Sequence, residues 1–207
     1  MELSCGLFDD RRGCVLHFQK VVKQWFWLLL ALVTIKCPTC LAGQAPVRVT
    51  AERLGLNRVR MMGEVASPTP RQIVWDLLKD YEHLSEWIPG LVESRVVQTK
   101  PTMLLFQRGT TRLGFFKQNV QVTFEVEESG NEIRFKAISG DFLEHEGMWL
   151  LKSDGDMTIV HYEATIRPKV FLPPFIGTWL LKSQLSHSLS AVVERAEELR
   201  NSRATVL

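Results

Sequence analysis

Residues 173–199 read PPFIGTWLLKSQLSHSLSAVVERAEEL, and the reading of this run decides the fold. Leu185, Leu189, Val192, Val193, Ala196 and Leu199 recur at i, i+4, i+7, i+8, i+11 and i+14, which is one face of an α-helix. Ser186, His187, Ser190, Glu194, Glu197 and Glu198 fall mostly on the other side. Pro173 and Pro174 suit a helix start, where a missing N–H costs little. A helix of about 25 residues is long for a small domain, and its apolar stripe needs a partner. Residues 47–168 read as strands able to supply one. The expected arrangement is a curved antiparallel sheet closed by this helix, with any ligand held between the two.

The strands are read from alternation. Val120, Val122, Phe124 and Val126 alternate with Gln121, Thr123, Glu125 and Glu127, giving one buried and one wet face. Similar runs span Leu91–Gln98, Met103–Leu113, Gln118–Glu127, Glu132–Ser139, Phe142–Lys152 and Met157–Arg167. Ser129-Gly130-Asn131 and Asp154-Gly155-Asp156 read as hairpin turns. From Val47 to Val65 the alternation is partial, with a turn signal at Gly55-Leu56-Asn57, and reads as one long or broken first strand. Ser67-Pro68-Thr69-Pro70 then predicts a helix with Thr69 as N-cap and Pro70 at its first position. Ile73, Val74, Leu77 and Leu78 form its apolar face. A second short helix is predicted over Tyr81–Trp87, ending at Ile88-Pro89-Gly90. The order is β-α-α-β(6)-α, which makes the class α+β with an antiparallel sheet of about seven strands.

The first 42 residues differ in character. Lys20 and Lys23 precede an apolar run, Trp25 to Ile35, closed by Lys36. At about 11 residues it is short of the roughly 20 that span a bilayer. It matches the apolar region of a secretory signal, with small residues before a cut after Ala42. The expectation is an exported protein of the bacterial periplasm. The alternative is a membrane anchor over residues 21–35. Arg11-Arg12 lies too far from the apolar run for a twin-arginine signal, and Thr39 before Cys40 fits a lipoprotein signal poorly. All four cysteines (Cys5, Cys14, Cys37, Cys40) lie in this segment. The C-x-x-C over residues 37–40 lacks a second pair and a surrounding βαβ pattern. The chain carries a formal charge of +2, and without residues 1–42 it has 20 cationic and 20 anionic side chains. That balance gives no electrostatic case for nucleic acid as a partner.

The run Pro68–Gly90, and above all Asp80-Tyr81-x-x-Leu84-x-x-x-Ile88-Pro89-Gly90, resembles the signature of START-like (SRPBCC, helix-grip) proteins. Within them it is most similar to the branch of polyketide cyclase/dehydrase and coenzyme-Q-binding proteins. Gly140-Asp141-Phe142, Glu146-Gly147-Met148-Trp149 and Tyr162-Glu163 leading to Pro168 agree. The resemblance covers about residues 46–200. It implies a START-like domain there, between a signal peptide or anchor over 1–42 and a short tail over 201–207. It implies a helix-grip fold with a seven-stranded sheet around the last helix, and a cavity that in relatives holds lipids, isoprenoid quinones, polyketides or hormones. Relatives often carry an aromatic residue where His145 stands.

The expected function is therefore binding and carriage of a hydrophobic small molecule. An aromatase/cyclase-like enzyme using His145, with Tyr162 or a nearby carboxylate, is one alternative. A protein-interaction module whose cavity is filled by its own side chains is another. Acid/base candidates are His145, His161, Glu144, Glu146, Glu163 and Tyr162. If Val160, Tyr162, Ala164 and Ile166 face inward, His161 and Glu163 face out. The 154–156 turn sets residue 149 opposite about 160–161, so His145 lies some four residues along from the His161 rung, roughly 13 Å away. That is too far for a shared metal. His145 shares a face with Leu143, Gly147, Trp149 and Leu151, expected to be the inner one. The candidate ligand-contacting set is Trp87, Phe106, Phe116, Phe135, His145, Trp149, Tyr162, Phe175 and Trp179. Residues 171–179 carry almost no charge and read as a cavity mouth or membrane-touching lip. Arg108, Arg112 and Lys117 are candidates to attract an anionic headgroup. No motif for a nucleophile, a phosphate loop, a metal or a cofactor appears.

Overall fold

In the computed structural model, residues 46–113, 116–170 and 174–205 are described, and within them residues 111–113, 116–117, 174–176 and 205 by backbone alone. Strand β2 (Arg58–Ser67) shows the sequence logic in its simplest form. Val59, Met61, Gly63, Val65 and Ser67 are buried, while the residues between them are exposed or half-exposed. Its partner β8 (Met157–Pro168) does the same with Thr158, Val160, Tyr162, Ala164 and Ile166. Side chains two apart share a face, so the pairing of β2 with β8 lays one continuous apolar strip.

The full sheet has eight antiparallel strands in the order β1-β2-β8-β7-β6-β5-β4-β3. The remaining strands are β1 (Arg48–Gly55), β3 (Leu91–Gln98), β4 (Met103–Leu113), β5 (Phe116–Ser129), β6 (Glu132–Gly140) and β7 (Phe142–Asp154). The expected first strand is in fact a hairpin. Asn57, at φ 59°, makes its turn, in the left-handed region that asparagine tolerates better than most residues. The count is thus eight strands rather than about seven. A second correction lies in the β7–β8 hairpin. Asp154 pairs Met157, so the loop holds two residues instead of three, and Trp149 pairs Tyr162.

Two short helices follow β2: α1 (Arg71–Lys79) and α2 (Leu84–Trp87). The start of α1 is one residue later than expected. Pro70 is the N-cap, and its carbonyl accepts from the Ile73 amide at 3.0 Å. Thr69 does not cap, because it is fully buried and its carbonyl accepts from the Thr158 hydroxyl at 2.6 Å. Residues 81–83 form a turn ahead of α2, so the second helix is shorter than expected.

The last helix, α3 (Pro174–Thr205), has 32 residues. The expected stripe is the buried one: Leu185, Leu189, Val192, Val193 and Ala196 are all in the core. The helix sits directly on Gly63 of β2, where an added Cβ would lie 2.5 Å from a Leu189 methyl. Glycine is needed there for the close approach alone. Arg200 near the helix end donates to the Pro68 carbonyl and Leu189 packs on Gly63, so α3 runs along β2. This is an α+β helix-grip arrangement. Among the described residues no helix is long and apolar enough to cross a membrane. Residues 1–45, with the four cysteines, the apolar run and the expected cut after Ala42, lie outside the described residues.

Candidate functional site: an aromatic cavity under the last helix

The inner faces of the strands and helices do not fill the space between them. A cavity of about 290 Å3 remains. Its floor is sheet: Met61, Leu105, Phe124, Val126, Phe135, Trp149, Tyr162 and Ile166. Leu78, Tyr81, Leu84 and Ile88 from the α1–α2 segment form one wall, and Leu181, Gln184, Leu185 and Ser188 of α3 form the roof. Among the described lining residues there is no Asp, Glu, Lys or Arg. Among the described residues, no side chain fills this space.

His145 is set in a nest of rings. Its imidazole lies 4.8 Å from Phe142, 5.0 Å from Phe124 and 5.6 Å from Phe135, centroid to centroid, with edge-to-face geometry to the last two. Neither ring nitrogen has a hydrogen-bond partner and both are out of water, although part of the ring surface borders the cavity. Burial without a partner disfavours the charged form, and the pKa falls from 6.5 to about 4. His145 is thus neutral at pH 7. Burial likewise raises the Tyr162 phenol above its ordinary value. Its ring stands 4.7 Å from Trp149 and stacks at 6.0 Å over Phe135. At the α1 side the Tyr81 hydroxyl donates to Glu128 at 2.8 Å, and Lys79 reaches the same carboxylate at 2.6 Å. Burial first and Glu128 second push the Tyr81 phenol up.

A larger depression, about 520 Å3, lies on the other face of the sheet. Glu125, Glu127, Arg134, Lys136, Glu146 and Glu163 line it, so it offers charge and water rather than apolar surface. The inner cavity is the better candidate for an apolar ligand because of that chemistry, not its size. Among the described residues no cluster of His, Cys, Asp or Glu is arranged to hold a metal.

Residues 67–193 match the family model described as polyketide cyclase/dehydrase and lipid transport. The chain belongs to this family. A search of curated proteins gives no match. Among solved structures, the chain is similar to a STAR-related lipid transfer protein of Xanthomonas axonopodis, at TM-score 0.61 and 17% identity over 73% of this chain and 93% of the other. A START superfamily protein of Mycobacterium smegmatis matches at TM-score 0.60 and 18% identity, covering 68% of this chain and 98% of that one. An aromatase/cyclase of Streptomyces sp. R1128, Zhui, matches at TM-score 0.55 and 12% identity over 73% and 94%. At these identities the likeness is one of fold.

Within this polyketide cyclase/dehydrase and lipid transport fold, the structure brings together Phe135, His145, Trp149 and Tyr162 of the sequence-expected set. It does not bring Phe106, whose neighbours Leu105 and Gln107 face the cavity; the Phe106 ring lies on the other face, 4.9 Å under the Arg95 guanidinium. Trp87 is half-buried against the core but borders a separate depression with Arg195 and Glu198. Trp179 is 68% exposed on α3. The side chains of Phe116, Phe175, Arg112 and Lys117, and residues 171–173, lie outside the described residues. The carboxylates proposed for acid/base work are on the outer face. Glu144 is bound by Arg58 at 2.6 Å and Glu163 is 3.7 Å from Arg60. His161 faces Glu64 at 3.9 Å, five residues from the His145 rung rather than four. Arg108 pairs with Glu93 at 2.9 Å.

Leu143 is also corrected. A bulge between Phe142 and Glu144 breaks the alternation, so Leu143 is 60% exposed and Phe142 turns into the cavity instead. Phe124 and Tyr81 were not in the expected set, although both carried a signal. Phe124 sits in the cleanest alternation of the chain, and Tyr81 in the Asp80–Gly90 motif. Leu181, Gln184 and Ser188 carried none, since their face of α3 depends on how the helix is rolled on the sheet.

Proposed function

We propose that the protein is an exported carrier that encloses a neutral, largely apolar small molecule between its sheet and α3. The observation that carries this is the uncharged, aromatic lining of the cavity. Burial of an ionised headgroup there would cost several kcal/mol with nothing to pair it, whereas each Å2 of apolar ligand surface contributes about 25 cal/mol. A volume of 290 Å3 equals about ten waters, which suits one or two fused rings or a single short chain. The solved relatives named for lipid transfer and for aromatase/cyclase activity share this fold, and the carrier is the reading that His145 favours. A general base works best with a pKa near the operating pH, and a histidine near 4 is a weak one. Support for export is the apolar run behind Lys20 and Lys23.

The test is native mass spectrometry of the protein purified from its own cells, followed by organic extraction. A discrete neutral compound released from the protein is the expected result, with a polypeptide mass that starts after Ala42. An empty protein would overturn the carrier reading. A full-length mass would overturn cleavage and leave the anchor.

A further inference from the structure

One pole of the molecule carries apolar side chains with no partner. The β1–β2 turn there is tied down from two sides. The Asn57 side-chain amide donates to the carbonyls of Pro168 and Val170 at 2.9 and 3.0 Å. Arg58 grips Glu144 through two bonds of 2.8 and 2.6 Å. These ties hold the tip of the hairpin against the end of β8 and the start of β7, so Leu56, Leu143 and Val170 are brought to the same end. They are 82%, 60% and 57% exposed. Leu54 is exposed beside them, and Trp179 is exposed on the first turns of α3, which begins four residues after Val170. Exposed side chains of this size scattered singly mean nothing; gathered at one end of a fold, and held there, they mark a contact surface.

The charges around them choose the partner. Arg53, Arg167, Lys169 and Lys182 are exposed, and among the described residues no ion pair holds them. The carboxylates near them are fewer. Glu144 is taken by Arg58, Asp141 accepts from the Gln121 amide, and Glu52 stands opposite Arg60. A protein partner would need a matching acidic rim and an apolar knob. An anionic bilayer offers both at every point of its surface, and basic side chains near such a surface contribute about 1 kcal/mol each. Ile166 and Leu181, near this end of β8 and α3, line the cavity, so a ligand leaving here would meet the apolar interior without crossing water.

We infer that the protein docks on anionic membranes through this pole, with Leu56, Leu143, Val170 and Trp179 entering the interface inside a ring of Arg53, Arg167, Lys169 and Lys182. The inference rests on the carrier reading only for its purpose, not for its geometry. It is tested on the full chain with the four native cysteines replaced by serine and one environment-sensitive dye attached at position 56 or, as control, at position 156. The control site is the opposite end of β8, about 35 Å away. Vesicles of phosphatidylcholine with 30% phosphatidylglycerol should shift the emission of the dye at 56 to the blue and raise it several-fold, with no change at 156. Arg167→Glu with Lys169→Glu should remove most of that response, as should raising the salt to about 0.5 M. Membrane association through residues 1–45 would hold the chain near the vesicle without choosing this pole. A dye that stays wet at 56, or responds equally at 156, overturns the inference. A dry dye at 56 on a protein that yields no extractable ligand would leave docking standing and remove the carrier reading instead.

Discussion

His145 is neutral because no group near it can hold its proton. Of the titratable side chains that line its cavity, Tyr81 and Tyr162 are themselves held neutral, and the carboxylates of β7 and β8 are on the far side of the sheet. The consequence is a stability that depends on pH. A histidine titrating near 6.5 when unfolded and about 4 when folded takes up its proton more readily in the unfolded chain over that range. Folding stability is then complete above pH 6.5 and falls as the pH drops toward 4, by about 1.4 kcal/mol per pH unit at the steepest. Urea titrations of the wild type and His145→Phe at pH 7, 5.5 and 4.5 should separate the two. The variant should lose this slope. At pH 7 it should be about 1 kcal/mol more stable, because it removes two buried polar atoms that lack partners. Parallel slopes would mean that His145 finds a partner in solution.

The contact of α3 with β2 is close, and it is built from one missing side chain and one large one. Leu189→Ala should cost about 2–5 kcal/mol, since the residue is fully buried and a rigid sheet cannot close the void. Gly63→Val should cost about 1–3 kcal/mol for the opposite reason, by forcing the helix away from the strand. Trp179→Ala, on the exposed side of the same helix, should change the urea midpoint by less than about 0.5 kcal/mol. Elements whose two faces differ strongly were legible in the sequence: the α3 stripe, β5 and β8 are placed as their alternation implied. The β1–β2 hairpin was not, because β1 is an edge strand with most of its side chains exposed and has little pattern to read. Nor was the face of Leu143. A single bulge at residues 142–144 reverses parity without any mark in composition, which hid Phe142, a member of the site.

At the scale of the whole molecule, the α+β class and the grip of sheet on helix followed from the order of runs alone, since six strands in succession leave no room for parallel crossovers. The site was less legible than the fold. Its members come from nearly every element, and a one-residue change of register in any of them alters the set. That same spread makes the fold depend on its two ends. The sheet joins β2 to β8, which lie roughly a hundred residues apart in the chain, and until they meet, β1 and β2 have only each other. A chain ending at Asp156, without β8 and α3, should show no cooperative transition in urea; a sharp one would mean that β3 to β7 fold alone. Contacts this distant in sequence form slowly. While the polypeptide is being made, β3 to β7 can pair with their neighbours in turn, but β1 and β2 have no further partner until β8 emerges. A protein that must be passed through a narrow channel gains from such lateness, since less has to be undone first; one that finishes in place instead leaves its unpaired strands to a chaperone for the length of its synthesis.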